Sequence, residues 1–146
     1  MKTFQFNLER VLEWHAAQLS VEEAKLHQLR RELVRLDASV AFLKEGRIEA
    51  ATTLHGQVCF AGSDLKTLDA YLQRTRKQEE NLRVQRLDTE MRINGQLKRV
   101  ISAQRKHRLL EKLRERRHRE WVTELNTEVE QLAADTYLAK FNRRTD

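Results

Sequence analysis

The chain has few of the residues that interrupt helices. Proline is absent and glycine occurs four times among 146 residues. Because these two residues mark most turns and loops, their scarcity indicates long helices and excludes a loop-rich fold. Charged residues make up 34% and hydrophobic residues 40% of the chain, which is enough apolar surface for an ordered structure. The length predicts a single domain over residues 1–146.

Cysteine and long apolar runs are also scarce. Cys59 is the single cysteine, which excludes an intrachain disulfide and favours a reducing compartment such as the cytoplasm. No stretch approaches the roughly 18 apolar residues of a transmembrane helix. Charged residues from Glu9 onward interrupt any signal-like segment. We therefore expect a cytoplasmic protein that reaches a membrane only through a partner.

A heptad repeat runs from Leu8 to Leu43. One series contains Leu12, Leu19, Leu26, Leu33 and Val40, and the complementary series contains Leu8, Leu29, Leu36 and Leu43. Together they form a coiled-coil seam that covers roughly 2/7 of the helix surface. A seam this narrow cannot be the centre of a globular core, so it predicts a partner helix.

Two polar residues, His15 and Glu22, interrupt the second series of the seam. Our first interpretation is that both lie beyond the packed part of the helix or extend their polar tips to solvent. The alternative is that they select the register or the partner, as polar core residues do in other coiled coils.

The partner helix is expected later in the same chain. Gly62 suits a left-handed turn, Ser63 an N-cap and Asp64 the first helical turn. We predict a first helix over about 4–58, capped by Asn7 or Thr3, a reversal over about 59–63 and a second helix over about 64–141 with a frayed tail. The predicted fold is all-α, an elongated antiparallel two-helix coiled coil.

Equal distances from the reversal place Leu43 opposite about residue 80 and Leu12 opposite about residue 111. The second helix is the longer of the two, so it should overhang the first. Its apolar stripe is expected to begin with Leu65, Leu68, Tyr71 and Leu72. The stripe should continue through Leu87, Met91, Ile93, Leu97, Val100 and Ile101 to Leu109, Leu110 and Leu113.

No catalytic or cofactor motif is present. The four glycines do not form a phosphate-binding loop, and the five histidines do not have the spacing of zinc ligands. Two helices also offer little enclosure for the pKa shifts that acid and base catalysis needs. We expect no enzyme activity, no metal, no cofactor and no small-molecule substrate.

The positive charge is concentrated in residues 83–120, called the basic segment here, which contain 13 basic and 5 acidic residues. This segment is interpreted as a solvated face, as a nucleic-acid contact, or as a surface for an acidic protein partner. Nucleic acid is disfavoured by the acidic residues within the segment. It is also disfavoured because the segment contains no aromatic residue for base stacking, the next one being Trp121.

Three motifs resemble the flagellar type III export protein FliJ family. The N-terminal motif is Phe4, Phe6, Leu8, Glu9, Val11 and Leu12. The middle motif is Ser63, Asp64, Leu65, Leu68, Asp69, Ala70, Tyr71 and Leu72, and the C-terminal motif is Leu110, Glu111, Lys112, Leu113, Arg114, Glu115, Arg116 and Arg117. They occur in the family's order and span most of the chain.

The resemblance implies a hairpin similar to the stalk-forming γ subunit of rotary ATPases. Such a protein binds the hexameric flagellar export ATPase, contacts the export gate membrane protein and handles export chaperones, at the periphery of the inner membrane. The expected ATPase-binding residues are Phe4, Phe6, Leu8, Arg114, Arg116, Arg117, Arg119, Trp121 and Leu125. The expected gate-binding residues are Tyr71, Leu72, Thr75 and Leu82, as an exposed apolar strip.

Two other functions stay open. One is the equivalent stalk of an injectisome secretion system, although the Phe-x-Phe opening favours the flagellar system. The other is a generic coiled-coil scaffold that binds nucleic acid through residues 83–120.

Overall fold

A computed structural model describes the backbone of residues 3–55 and 61–145, and the side chains of residues 3–53 and 61–141. These residues form two α-helices and no strand: α1 is Glu9–His55 and α2 is Gly62–Thr145. The two helices pack against each other, which confirms the predicted all-α hairpin. Neither described helix contains a stretch that is long and apolar enough to cross a membrane.

Helix α1 begins about five residues later than the sequence predicted. The Glu9 amide donates to the Phe6 carbonyl over 3.1 Å, and the Leu12 amide donates to the Leu8 carbonyl over 2.9 Å. Leu8 therefore occupies the N-cap position, and the predicted caps Asn7 and Thr3 were wrong. The reason is that residues 3–6 are not helical and lie against α2, where Phe4 and Phe6 are half-buried.

The first turn of α2 also differs from the prediction. Gly62 is the first helical residue, and no described glycine has a positive φ. The Asp64 amide donates to the Ala61 carbonyl over 3.0 Å, and the Ala61 amide donates to the Asp64 carboxylate over 3.3 Å. Ala61 is thus the N-cap in place of the predicted Ser63, and the Asp64 carboxylate accepts the hydrogen bond from the Ala61 amide. Residues 59 and 60 of the predicted reversal, and residues 56–58 of the predicted first helix, lie outside the described residues.

The chain divides into two compact units, and each contains parts of both helices. The central unit is Ser20–Ile101, and the terminal unit joins Met1–Leu19 to Ser102–Asp146.

In the central unit, α1 packs through the predicted heptad seam. Leu26 is buried, and the other members, Leu29, Leu33, Leu36, Val40 and Leu43, are half-buried. Ion pairs join Glu32 to Arg92 at 3.6 Å, Asp37 to Arg86 at 2.6 Å and Arg47 to Glu79 at 3.2 Å. Residue numbers rise along one helix while they fall along the other, so the helices are antiparallel in the predicted alignment.

The seam of α2 is more polar than the sequence suggested. Its most buried residues in the central unit are Thr75, Thr89, Gln96 and Val100. The Thr75 hydroxyl donates to the Tyr71 carbonyl and the Thr89 hydroxyl to the Gln85 carbonyl, both over 2.9 Å. Because these hydroxyls are satisfied within the helix, each threonine can pack its methyl group as a small apolar residue.

The predicted stripe of α2 was therefore partly wrong. Ile93, Leu97 and Val100 face α1 as expected, whereas Leu87, Met91 and Ile101 are exposed. In the terminal unit Leu110 is half-buried, but Leu109 and Leu113 are exposed. The prediction was partly wrong because it followed hydrophobicity alone. The packed face instead follows a heptad series that contains Thr75, Thr89 and Gln96.

The terminal unit is antiparallel as well. Leu12 is buried, His15 and Leu19 are half-buried, and Glu9 pairs with Arg114 at 3.2 Å. Beyond this contact α2 continues to Thr145, and every residue from 126 to 141 is exposed. The predicted overhang of the second helix is therefore present in this unit.

We expect Gly95→Ala to raise the free energy of unfolding by about 0.5–1 kcal/mol, because glycine is unfavourable inside a helix. No atom of another part of the chain lies within 4 Å of the added methyl group. Gly46→Ala should stabilise less, since its methyl group would lie 3.0 Å from the Tyr71 hydroxyl. Chemical denaturation followed by circular dichroism measures both changes. Equal stabilisation by the two substitutions would contradict the contact between Tyr71 and Gly46, and Tyr71→Ala should remove the difference.

Candidate partner-binding surfaces

The described residues contain no group of three histidine, cysteine, aspartate or glutamate side chains that could hold a metal ion. The concave regions are open depressions along the helices.

An aromatic cluster joins the N-terminal residues to α2 in the terminal unit. The Phe4 ring lies edge-on to His118, with ring centroids 5.0 Å apart, and 5.9 Å from the Trp121 ring. Beside the cluster is a depression lined by Phe6, Leu8, Leu113, Arg117 and Trp121, among others. The structure thus brings the N-terminal motif next to the C-terminal motif, as the antiparallel hairpin requires.

The predicted ATPase-binding arginines lie on the turns of α2 that carry this cluster, with Arg117 lining the same depression, and their charges are partly compensated. Arg114 pairs with Glu9, while Arg116 and Arg117 both bond to Glu120, at 3.0 and 3.1 Å. Arg119 lies 4.0 Å from the carboxylate of Glu115. Their side chains remain largely exposed, so they are accessible to a partner. Leu125 is half-buried.

The four predicted gate-binding residues do not form an exposed strip. Thr75 is buried, Leu72 and Leu82 are half-buried, and Tyr71 is 42% exposed. The expectation of an exposed strip was wrong because Thr75 and Leu82 are seven residues apart in the packed heptad series, and Leu72 belongs to its complement. Tyr71 alone offers a large exposed surface.

Helix α1 carries exposed apolar residues that the sequence analysis did not single out. Phe42 is 74% exposed beside a depression formed with Ala38, Asn81 and Leu82. Val34 is exposed beside arginines of the same helix. The sequence could have predicted these exposed residues. Both lie outside the seam positions of the heptad, and the positions outside a seam usually carry polar residues.

The basic segment is only partly neutralised. Six of its 13 cations form ion pairs: Arg86, Arg92, Arg114, Arg116, Arg117 and Arg119. The other seven, Arg83, Lys98, Arg99, Arg105, Lys106, Arg108 and Lys112, form no ion pair with a described residue. The free charge therefore lies mainly before Arg114.

A polar contact crosses the seam at Glu22. Gln96, which is 6% exposed, donates from its side-chain amide to the Glu22 carbonyl over 3.0 Å and also to the Glu22 carboxylate. The hydrogen bond from Lys25, 2.8 Å long, together with that from Gln96 and the nearby charge of Arg99, lowers the pKa of Glu22.

This geometry corrects our first interpretation of the two polar seam residues. Glu22 does not extend into solvent but is bonded across the helix pair, which supports the alternative, a register-selecting role. His15 is half-buried and packs edge-on to the Trp14 ring at 4.8 Å.

Comparison of the chain with protein-family models, with curated proteins and with solved structures gave no significant match. The candidate surfaces are the aromatic cluster with its arginines, the exposed Tyr71, the outer face of α1 around Phe42, and the cations of the basic segment that form no ion pair with a described residue.

We expect Glu22→Gln to change how stability depends on pH. The pKa of Glu22 is lower in the folded chain than its usual value of 4.5, so the ionised form adds stability above that value. This contribution is lost as the pH falls through the lowered pKa. The difference in melting temperature between the parent and Glu22→Gln should be constant above about pH 5 and should shrink at lower pH. Thermal unfolding at a series of pH values measures it.

Glu45→Gln, in an exposed part of the same helix, is the control for loss of one carboxylate. A difference between the parent and Glu22→Gln that stays unchanged down to about pH 3 would contradict the role assigned to the contacts of Glu22.

Proposed function

We propose that the chain is a non-enzymatic component of the flagellar type III export apparatus. In this proposal it acts as a stalk that binds and activates the export ATPase ring, couples the ring to the export gate and takes part in handling export chaperones. Support comes from the three motifs and from the two-helix fold in which they lie. The equivalent stalk of an injectisome is the alternative within the same class, and the Phe-x-Phe opening favours the flagellar system.

The observation that carries the proposal is the meeting of two distant motifs at the aromatic cluster. Phe4 contacts His118 and Trp121, while Glu9 pairs with Arg114. The N-terminal residues and α2 thereby contribute to one surface that combines aromatic side chains with Arg114 and Arg117. Aromatic residues and arginine are the types most enriched at the centres of protein interfaces.

The gate contact is proposed for a smaller set than the resemblance implied. Tyr71 is exposed and would contact the gate protein. Leu72, Thr75 and Leu82 would pack within the helix pair and hold the turns around Tyr71 in position. The chain would then act at the cytoplasmic periphery of the inner membrane, held there by the export apparatus.

A scaffold that binds nucleic acid is the second candidate. The seven cations of the basic segment without a described ion pair favour it, since phosphate binding depends on free positive charge. DNA binding that weakens steeply between low and physiological salt would support this candidate.

We expect the chain to stimulate the ATP hydrolysis rate of its cognate purified export ATPase, with saturation near one chain per hexamer. The double substitution Arg116→Ala and Arg119→Ala should reduce the apparent affinity about tenfold or more, because both side chains are 77% exposed and belong to the arginines proposed to bind the ATPase. A titration of ATPase rate against chain concentration measures this.

The matched control is Arg30→Ala with Arg31→Ala, which removes the same charge from an exposed part of α1 and should leave stimulation unchanged. An ATPase that forms rings but is not stimulated would contradict the stalk and favour a scaffold or a role at the gate alone.

We expect Tyr71→Ala to weaken binding to the soluble domain of the gate protein about tenfold, because an exposed aromatic residue would be lost from the interface. Its effect on the melting temperature should be small, since Tyr71 is 42% exposed and its hydroxyl lies beside Gly46, which has no side chain. Thr75→Val should leave binding unchanged, because Thr75 is buried. Isothermal titration calorimetry measures the affinities. Lost thermal stability with unchanged gate binding would show that Tyr71 is a packing residue.

A further inference from the structure

The end of α2 is a helix with an apolar side that the rest of the described chain leaves exposed. Every residue from 126 to 141 is exposed. Val129 is 46% and Leu132 64% exposed. A single helix of this length is marginally stable in water, since most helix stability in proteins comes from packing of an apolar side. This segment therefore has the properties of a surface that a partner covers.

The exposed apolar residues continue the packed face of the terminal unit. Val122, Leu125, Val129 and Leu132 follow one another at spacings of three and four residues, and we call them the terminal stripe. Val122 and Leu125 are half-buried beside the aromatic cluster, and Val129 and Leu132 follow on the same side. The stripe is thus an extension of the face against which the N-terminal residues pack.

The charge beside the terminal stripe has one sign. Residues 121–139 contain four acidic residues and neither lysine nor arginine. At 100° per residue, Glu124, Glu128 and Asp135 lie together along one flank of the stripe. None of the three forms an ion pair with a described residue. In coiled coils, residues that flank the apolar seam choose the partner through opposite charge.

We propose that the terminal stripe is the docking surface for a partner helix whose own apolar stripe is flanked by lysine or arginine. This helix would pack against the terminal stripe, next to the turns of α2 against which the N-terminal residues of the chain pack. The continuity of the packed face indicates a helix as the occupant, and the acidic flank indicates its charge. The inference does not depend on a role in export, because it concerns the chemistry of the partner alone.

The test uses a fluorescent helical peptide of about 21 residues, three heptads long, with leucine at the two seam positions and lysine at the flanking positions. Fluorescence anisotropy with the full chain at physiological salt should show saturable binding. A second peptide, with glutamate in place of lysine, should bind at least about tenfold more weakly.

Two pairs of variants locate the site. Leu132→Ser should weaken binding of the lysine peptide about tenfold, whereas Leu138→Ser should leave it unchanged. Leu138 is 57% exposed, similar to Leu132, but lies about 120° away around the helix. Likewise Glu128→Lys should weaken binding, and Glu130→Lys, on the other side of the stripe, should not. All four positions are exposed, so each variant should retain the helix content of the parent.

Three results would overturn the proposal. The first is the absence of saturable binding by the lysine peptide, and the second is equal loss of binding in both members of either pair. The third is self-association of the chain, seen by sedimentation and abolished by Leu132→Ser but not by Leu138→Ser. That result would identify a second copy of the chain as the occupant. Binding to the export ATPase plays no part in these measurements, so their outcome is separate from that of the proposed function.

Discussion

The antiparallel packing of one narrow seam supports everything else in this protein. Among the described residues, the hydrophobic side chains that are more than nine-tenths buried are Leu12, Leu26 and Val100. A helix pair with so few fully buried residues must place each of them correctly, since a shift by one residue would turn the seam away from its partner. The alignment of the two helices is therefore the constraint on which the partner surfaces depend.

Polar groups within the seam contribute to that alignment. Gln96 bonds to both the carbonyl and the carboxylate of Glu22, so a shift of one helix along the other would break two hydrogen bonds at once. The buried threonines have a different role, because their hydroxyls bond within α2 and their methyl groups pack. Specificity and packing are thus assigned to different polar residues of the same helix.

The surfaces outside the seam differ in charge and in exposure. The basic segment retains cations without a described ion pair, whereas the terminal stripe is flanked by carboxylates. In the terminal unit, the aromatic cluster joins the N-terminal residues to α2. A chain with these separate surfaces could engage several partners at once, which agrees with the proposed function of linking an ATPase ring, a gate and chaperones.

The sequence by itself determined the helical hairpin, the seam of α1 and the antiparallel alignment. A heptad of large apolar residues from Leu8 to Leu43, broken at His15 and Glu22 but free of proline and glycine, permits few other structures. It also located the two motifs that meet at the aromatic cluster. The α2 stripe was harder to locate, because hydrophobicity alone favours Leu87 and Met91 over the threonines and the glutamine that the heptad phase buries.

Only the tertiary structure decided which polar residues are satisfied and which apolar residues are left exposed. Whether Glu22 reaches solvent or bonds to Gln96 depends on which residue of the other helix lies opposite, and the residues of one helix do not contain that information. The same holds for Thr75, whose burial removed it from the expected gate surface. It also holds for Val129 and Leu132, which are exposed because no described residue of α1 or of the N-terminal segment covers them. Burial is a property of pairs of helices, so it is determined when the helices pack.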